Sequence, residues 1–330
     1  MPNRITVGIS VYGDWEYLDM LLQSIRWYTY EEEESFDIVV CDDGTKAKDL
    51  ELFNKIGETT QKYGASFLYH EQNQGIPATW NHLANSLNAE SEIIVILNND
   101  LLVVPNWLKV ATHFLDANKD NPHVGSCYWN PVNGVPKDMM KLWLPTIGHT
   151  TYELRDQRTG KQNDFNDQSH TDVRVGANQG LGRVMCPCGC CFAFTRKVWN
   201  ECGPFPEHYR SFHEESLFGT HCAQKGRASF GFAYPRPYHT HGAAFASNPE
   251  LNGSQRMAAS RRMYRAELNI PESIPGDQYF KWVDDQLMPK IPKTALKFLR
   301  PNYDLVPETR TLVGGEEMLL PALEEVEDEF

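Results

Sequence analysis

EIIVILNNDLLVVP, running from Glu92 to Pro105, decides how this chain is read. Ile93, Ile94, Val95, Ile96 and Leu97 form an unbroken, mostly β-branched apolar run, the pattern of a strand buried on both faces of a parallel sheet. The run stops at Asn98, Asn99 and Asp100, where such a strand leaves the core. Ligands of open α/β sheets gather just outside the carboxyl ends of the strands. A carboxylate carried there on a rigid strand is well placed to hold a metal against a phosphate. Asn and Asp are also common turn formers. The stretch by itself leaves turn and site open.

The flanking sequence repeats the motif of strand followed by polar turn and helix. Arg4 to Tyr12 (RITVGISVY) is rich in β-branched residues and ends at Gly13 and Asp14. Asp14 suits the N-cap of a helix carrying Trp15, Leu18, Leu22 and Ile25 at helical spacing. Phe36 to Cys41 (FDIVVC) is a second buried-type strand, followed by Asp42, Asp43, Gly44 and Thr45. A helix is expected over 47–63 and a strand over 65–70. In EQNQGIPATWN, Glu71 to Asn81, Gly75 breaks the chain and Pro77 suits a first helical turn. Pro105 is expected to begin a helix with Trp107, Leu108, Ala111, Phe114 and Leu115 inward. Alternation of this kind predicts an α/β fold with a parallel sheet covered on both faces.

The pattern changes after Val124. Residues 130–182 are polar and irregular, as functional or disordered loops are. A strand is expected over 189–195, a helix around 197–201, and a short strand over 228–234 with His239 and His241 after it. Glu214 and Glu215 stand side by side within Tyr209 to Gly219. Ser254 to Leu268 is a helical pattern bearing Arg256, Arg261, Arg262 and Arg265, read as a solvated face. The acidic run Glu31 to Glu34 reads as a solvated loop or helix end, and the last fifteen residues carry seven acids and no Lys or Arg.

Composition bounds the function. The 330 residues are 41% hydrophobic and 23% charged, ordinary for a globular protein. A net charge of −13 argues against non-specific attraction to nucleic acid or anionic membrane. No stretch approaches the roughly 20 apolar residues that span a bilayer. The N-terminus enters a strand pattern without a signal-peptide core, so a cytoplasmic location is expected. Cys186, Cys188, Cys190 and Cys191 are spaced too tightly for paired structural-zinc ligands and read as buried thiols.

Several stretches together resemble a known family. VGISVYG, VVCDDGT, NQGIPATWN and LNNDLLVVPNWL occur in the order seen in nucleotide-sugar glycosyltransferases of the GT-A fold, family 2. GCCFAFTRKVWNECGPFPE resembles the stretch before that family's acidic motif. The resemblance covers roughly Ile5 to Gly242. It implies a Rossmann-like GT-A sheet over 1–250, with residues 1–125 as the nucleotide-binding half and 126–250 as the acceptor half. Residues 251–330, beyond the resemblance, are expected to form a helical extension ending in the acidic tail.

The resemblance also implies roles. Ser10, Val11 and Tyr12 wall the nucleotide pocket, and Asp42 or Asp43, with Asp43 preferred, accepts from the base. Asn73, Gly75, Asn81, Asn98 and Asn99 complete the donor side. Asp100, with His241 or as second choice His239, holds a divalent cation, Mn²⁺ or Mg²⁺. Glu215 is the expected general base and Glu214 its acceptor-binding neighbour. Asn98 and Trp80 depart from the family, which often has Asp and Arg at those places. The implied activity is inverting, metal-dependent transfer from a nucleoside diphosphate sugar, UDP foremost. The acceptor is a hydroxyl on a glycan, lipid-linked, protein or nucleic-acid molecule. Rival readings are a nucleotidyltransferase, whose Gly-rich basic loop VYGDWE lacks, and a non-catalytic sugar- or partner-binding module.

Overall fold

The computed structural model describes residues 3–29, 35–86, 91–127, 130–131, 137–143, 181–184, 186–232, 237–240 and 242–275, with a few shorter stretches beyond. The acidic run Glu31 to Glu34, most of 130–182, and the acidic tail apart from 317–319 lie outside the described residues.

The amino-terminal half follows the expected alternation: β1 (Ile5–Val11), α1 (Trp15–Tyr28), β2 (Phe36–Asp42), α2 (Leu50–Lys62), β3 (Ser66–Tyr69), α3 (Ile76–Ser86) and β4 (Ile93–Asn98). A two-residue strand β5 (Leu101–Leu102) precedes α4 (Trp107–Ala117). Then come β6 (Val124–Cys127), β7 (Asn130–Pro131), α5 (Lys137–Trp143), β8 (Leu181–Val184), β9 (Cys191–Thr195) and α6 (Arg196–Cys202). The remaining elements used below are α7 (Glu214–Gln224), β10 (Ser229–Phe232), β11 (Tyr238–His239), α8 (Ala243–Ser247) and α9 (Gly253–Glu267).

Eight strands form the central sheet in the order β3-β2-β1-β4-β9-β6-β10-β8. Only β9 and β8 run against the others, β9 antiparallel to β4 and β6, and β8 antiparallel to β10. β4 shows why the opening stretch is apolar throughout. Ile93, Val95 and Leu97 enter one core with α1, α2 and α4, while Ile94 and Ile96 enter a second core with α3, α6 and α7. Each large apolar side chain so buried contributes roughly 1.5–3 kcal/mol. Asp14 caps α1 as expected, accepting from Tyr17 N at 3.2 Å.

Two helix starts differ from expectation. The helix expected from Ala47 opens as a 3₁₀ turn over Thr45–Ala47, and α2 starts after Asp49, whose side chain accepts from Leu52 N at 2.9 Å. The helix expected at Pro105 begins at Trp107, because β5 pairs with β11 and Asn106 turns left-handed at φ 64°.

Candidate active site at the carboxyl strand ends

Parallel register brings the sequence motifs together. Ser10 pairs with Asn98 across β1 and β4, and Val11 pairs with Asp42 across β1 and β2. A cavity of about 840 Å³ opens above these ends. Its donor side includes Ser10, Val11, Tyr12, Asp43, Asn73 and Gly75, and Asn98, Asn99 and Asp100 continue the wall. Glu214, Glu215 and His239 face them.

Asp43 is held by four donors. His70 Nδ1 at 3.0 Å and Gln74 N at 2.8 Å meet Oδ1, and Asn73 Nδ2 at 2.8 Å and Gly75 N at 2.9 Å meet Oδ2. A carboxylate offers about four acceptor sites, so Asp43 is saturated. Gly75 is required here: its φ is +96°, and a Cβ would sit 2.5 Å from Arg210 O. Gly44 is equally constrained, because a Cβ there would lie 2.2 Å from Asn73 N.

Two expected donor-side residues do not reach the cavity. Asp42 turns into its own loop, where it accepts from Thr45 N at 2.8 Å and from the Thr45 hydroxyl. It is fully buried, and burial pushes its carboxyl up to about 6 against the opposing pull of those bonds. Asn81 is a tie between α3 and the segment before α7. Its amide donates to Phe205 O at 3.0 Å and Glu207 Oε1 at 2.8 Å, and its oxygen accepts from Phe205 N at 2.8 Å. The loop after β2 aims Asp42, and the face of α3 that packs on Phe205 and Glu207 aims Asn81.

At the end of β4, Asn98 Oδ1 accepts from Ser10 Oγ at 3.2 Å, and Asn99 Nδ2 donates to Asp14 O at 3.1 Å. Asp100 is 7% exposed, and its Oδ1 lies 3.2 Å from His239 Nε2 without hydrogen-bond geometry to any described group. The β5–β11 pairing, with His239 opposite Leu101, delivers the imidazole. Burial pulls His239 down, but the Asp100 charge outweighs it and holds the ring above its ordinary value. His241 lies outside the described residues. A buried carboxylate oxygen short of a donor, beside an imidazole and carboxamide oxygens, fits a hard divalent cation.

Glu214 and Glu215 occupy the first turn of α7. The turn before them is strained, with Arg210, Phe212 and His213 all at positive φ (59°, 66° and 67°). Each glutamate keeps an Oε2 with no hydrogen-bond partner among the described residues. Burial pushes the Glu215 carboxyl up to about 7. Burial first, and then the Glu215 charge, push Glu214 well above the usual range. Above about pH 7 the pair therefore carries one proton, with Glu215 the readier to ionise.

Sequence reasoning missed part of the cavity. Arg256 and Arg261 of α9 line it, so that helix does not present all its arginines to bulk solvent. Arg256 is half-buried, and burial lowers it below the usual guanidinium range. α9 is fixed by Ser260 Oγ donating to Ser211 O at 2.8 Å and by Tyr264 stacking on His213 at 5.3 Å. A run of arginines without interleaved acids was the available signal. Trp80 is 1% exposed and packs edge-on against Phe192 and Phe205, so it is chiefly a core residue at the cavity rim. All eight cysteines are free, and Cys186, Cys190 and Cys191 are buried as expected.

Comparisons with known proteins point the same way. The sequence model of the family described as "Glycosyl transferase family 2" matches residues 6–203. No curated protein sequence matches the chain. Among solved structures, S. aureus TarS is similar over 86% of this chain and 42% of its own, at 15% identity and a TM-score of 0.50. GalNAc-T7, solved with UDP, GalNAc and Mn²⁺, is similar over 73% of this chain and 44% of its own, at 14% identity and a TM-score of 0.52. The chain thus spans less than half the length of either structure. At such identity these two likenesses speak to the fold.

Proposed function

This chain belongs to glycosyl transferase family 2, and from that premise we propose that it moves a sugar from a nucleoside diphosphate sugar to a hydroxyl acceptor with inversion. The chain is a glycosyltransferase; the donor nucleotide, the metal and the stereochemistry are the proposed parts. The carrying observation is that saturated Asp43, under-coordinated Asp100 and the raised Glu214–Glu215 pair share one cavity.

Asp43 fixes the loop that receives the nucleotide. A pyrimidine N–H reaches its carboxylate only by replacing a donor, and the side chains of His70 and Asn73 are the exchangeable ones. UDP is the proposed donor, with dTDP and GDP, whose bases also offer an N–H to a carboxylate, as the alternatives. Asp100 and His239 would hold a divalent cation, with Asn98 contributing no charge. When bound, the cation supplies charge neutralisation to the departing diphosphate. Glu215, with its carboxyl near 7, accepts the acceptor hydroxyl proton as the oxygen attacks the anomeric carbon, while Glu214 keeps the shared proton nearby. In this reading residues 1–125 hold the donor and 126–250 the acceptor, with the 251–330 extension closing one side through α9.

Among the described residues no helix is long and apolar enough to cross a membrane. Eight free cysteines support the cytoplasm as the working compartment. Thermal-shift measurements with UDP, dTDP and GDP, each with and without Mn²⁺, test the proposal. The largest stabilisation is expected with UDP and metal together, and Asp100→Ala should remove the metal-dependent part. Equal stabilisation of that variant would overturn the placement of the cation.

A further inference from the structure

Behind the nucleotide loop, outside the cavity lining, three soft ligand atoms from separate elements converge. They are Cys41 Sγ in β2, His70 just after β3 and His82 in α3, and their ligand atoms all lie within 4.8 Å of one another. His82 Nδ1 stands 3.7 Å from Cys41 Sγ and 3.0 Å from His70 Nε2. Tetrahedral zinc, with bonds of about 2.0–2.1 Å to nitrogen and about 2.3 Å to sulfur, places ligand atoms roughly 3.3–3.6 Å apart. The two edges at His82 bracket that spacing, and the third lies within 4.8 Å.

Orientation supports the same conclusion. His70 Nδ1 donates to Asp43 Oδ1 at 3.0 Å, which leaves the His70 Nε2 lone pair directed at His82. A carboxylate that fixes the tautomer of a ligating histidine is the usual outer partner of a bound metal. The two imidazoles stack at 5.0 Å with planes 11° apart, half-buried, while Cys41 is wholly buried. One thiol and two imidazoles favour zinc over Mg²⁺ or Mn²⁺, which prefer oxygen.

We propose that Cys41, His70 and His82 form a zinc site distinct from the Asp100–His239 end of the cavity. Binding releases the Cys41 thiol proton to solvent, and the thiolate and two neutral imidazoles supply three bonds, with water as the fourth ligand. The ion ties β2, the end of β3 and α3 together. Through His70 it also sets the hold on Asp43, so donor affinity becomes zinc-linked.

Metal content, not transfer activity, tests this. The full chain, purified without a polyhistidine tag, is dialysed against zinc and then metal-free buffer, and its zinc is measured by elemental analysis. A parallel sample is titrated with Co²⁺ and followed by absorption. One retained zinc per chain is expected, with a thiolate-to-cobalt charge-transfer band that Cys41→Ser removes and Asp100→Ala preserves. His82→Gln, which keeps a polar side chain in α3, should weaken zinc binding by more than about tenfold. Wild-type protein that retains no zinc and shows no cobalt band overturns the proposal. So does a band that survives in a folded Cys41→Ser.

Discussion

Two kinds of carboxylate face each other across the cavity. Asp43 receives four hydrogen bonds, two on each oxygen. Glu214 and Glu215 each retain an oxygen with no partner among the described residues. A filled carboxylate is fixed in direction and charge. A buried carboxylate with an open lone pair carries an unpaid desolvation cost until a proton or substrate meets it. The first arrangement positions, and the second reacts.

The sharpest way to break this contrast is on the reacting side. Glu215→Gln keeps the shape but cannot take a proton, and kcat should fall by roughly 10²–10⁴-fold with donor KM little changed. A fall below threefold would transfer the base role elsewhere. On the positioning side the expected loss is in stability. Asp43→Ala strands the donors of His70, Asn73, Gln74 and Gly75, and should cost about 2–4 kcal/mol by chemical denaturation. A cost under about 0.5 kcal/mol would show that the loop stands without its carboxylate.

The smallest effect is in the pH dependence. Burial raises Glu215 from 4.5 to about 7, so its folded form binds protons that the unfolded chain has lost. Its contribution to stability is present below about pH 4.5 and is lost as pH rises through about 7. Glu215→Gln should therefore be roughly 1–3 kcal/mol more stable than wild type at pH 8, and no more stable at pH 4. In the wild type, kcat should fall about tenfold per unit below pH 7.

Much of the donor half was legible because β1 and β4 are buried on both faces and β2 is buried at its carboxyl end. β1, β2 and β4 announce themselves by apolar runs, and the polar residues ending them must lie at the sheet edge. Asp100 was readable for that reason, whereas Glu214 and Glu215, in the first turn of α7, were picked out by the family resemblance. Two-residue strands such as β5 and β11 carry no periodicity, so the pairing that sets His239 beside Asp100 could not be derived from pattern, and the family resemblance ranked His239 second to His241. Asp42 and Asn81 sit at motif positions, yet their side chains serve the scaffold, and a motif does not specify side-chain direction. The reversal of β9 was also invisible, since a fully buried strand reads the same in either direction. Arg256 faces the cavity because α9 docks on Ser211 and His213, a tertiary contact that overrides the polar pattern of the helix.

Gly75 and Arg210 touch backbone to backbone, with Ile76 N donating to Arg210 O at 2.9 Å. Beside them Arg210 bonds Asn73 from 137 positions away in the chain. So long a span between contacting segments costs loop-closure entropy that only the native contacts repay. The nucleotide loop and the glutamates a few residues beyond Arg210 are thus joined by one backbone contact between distant parts of the chain.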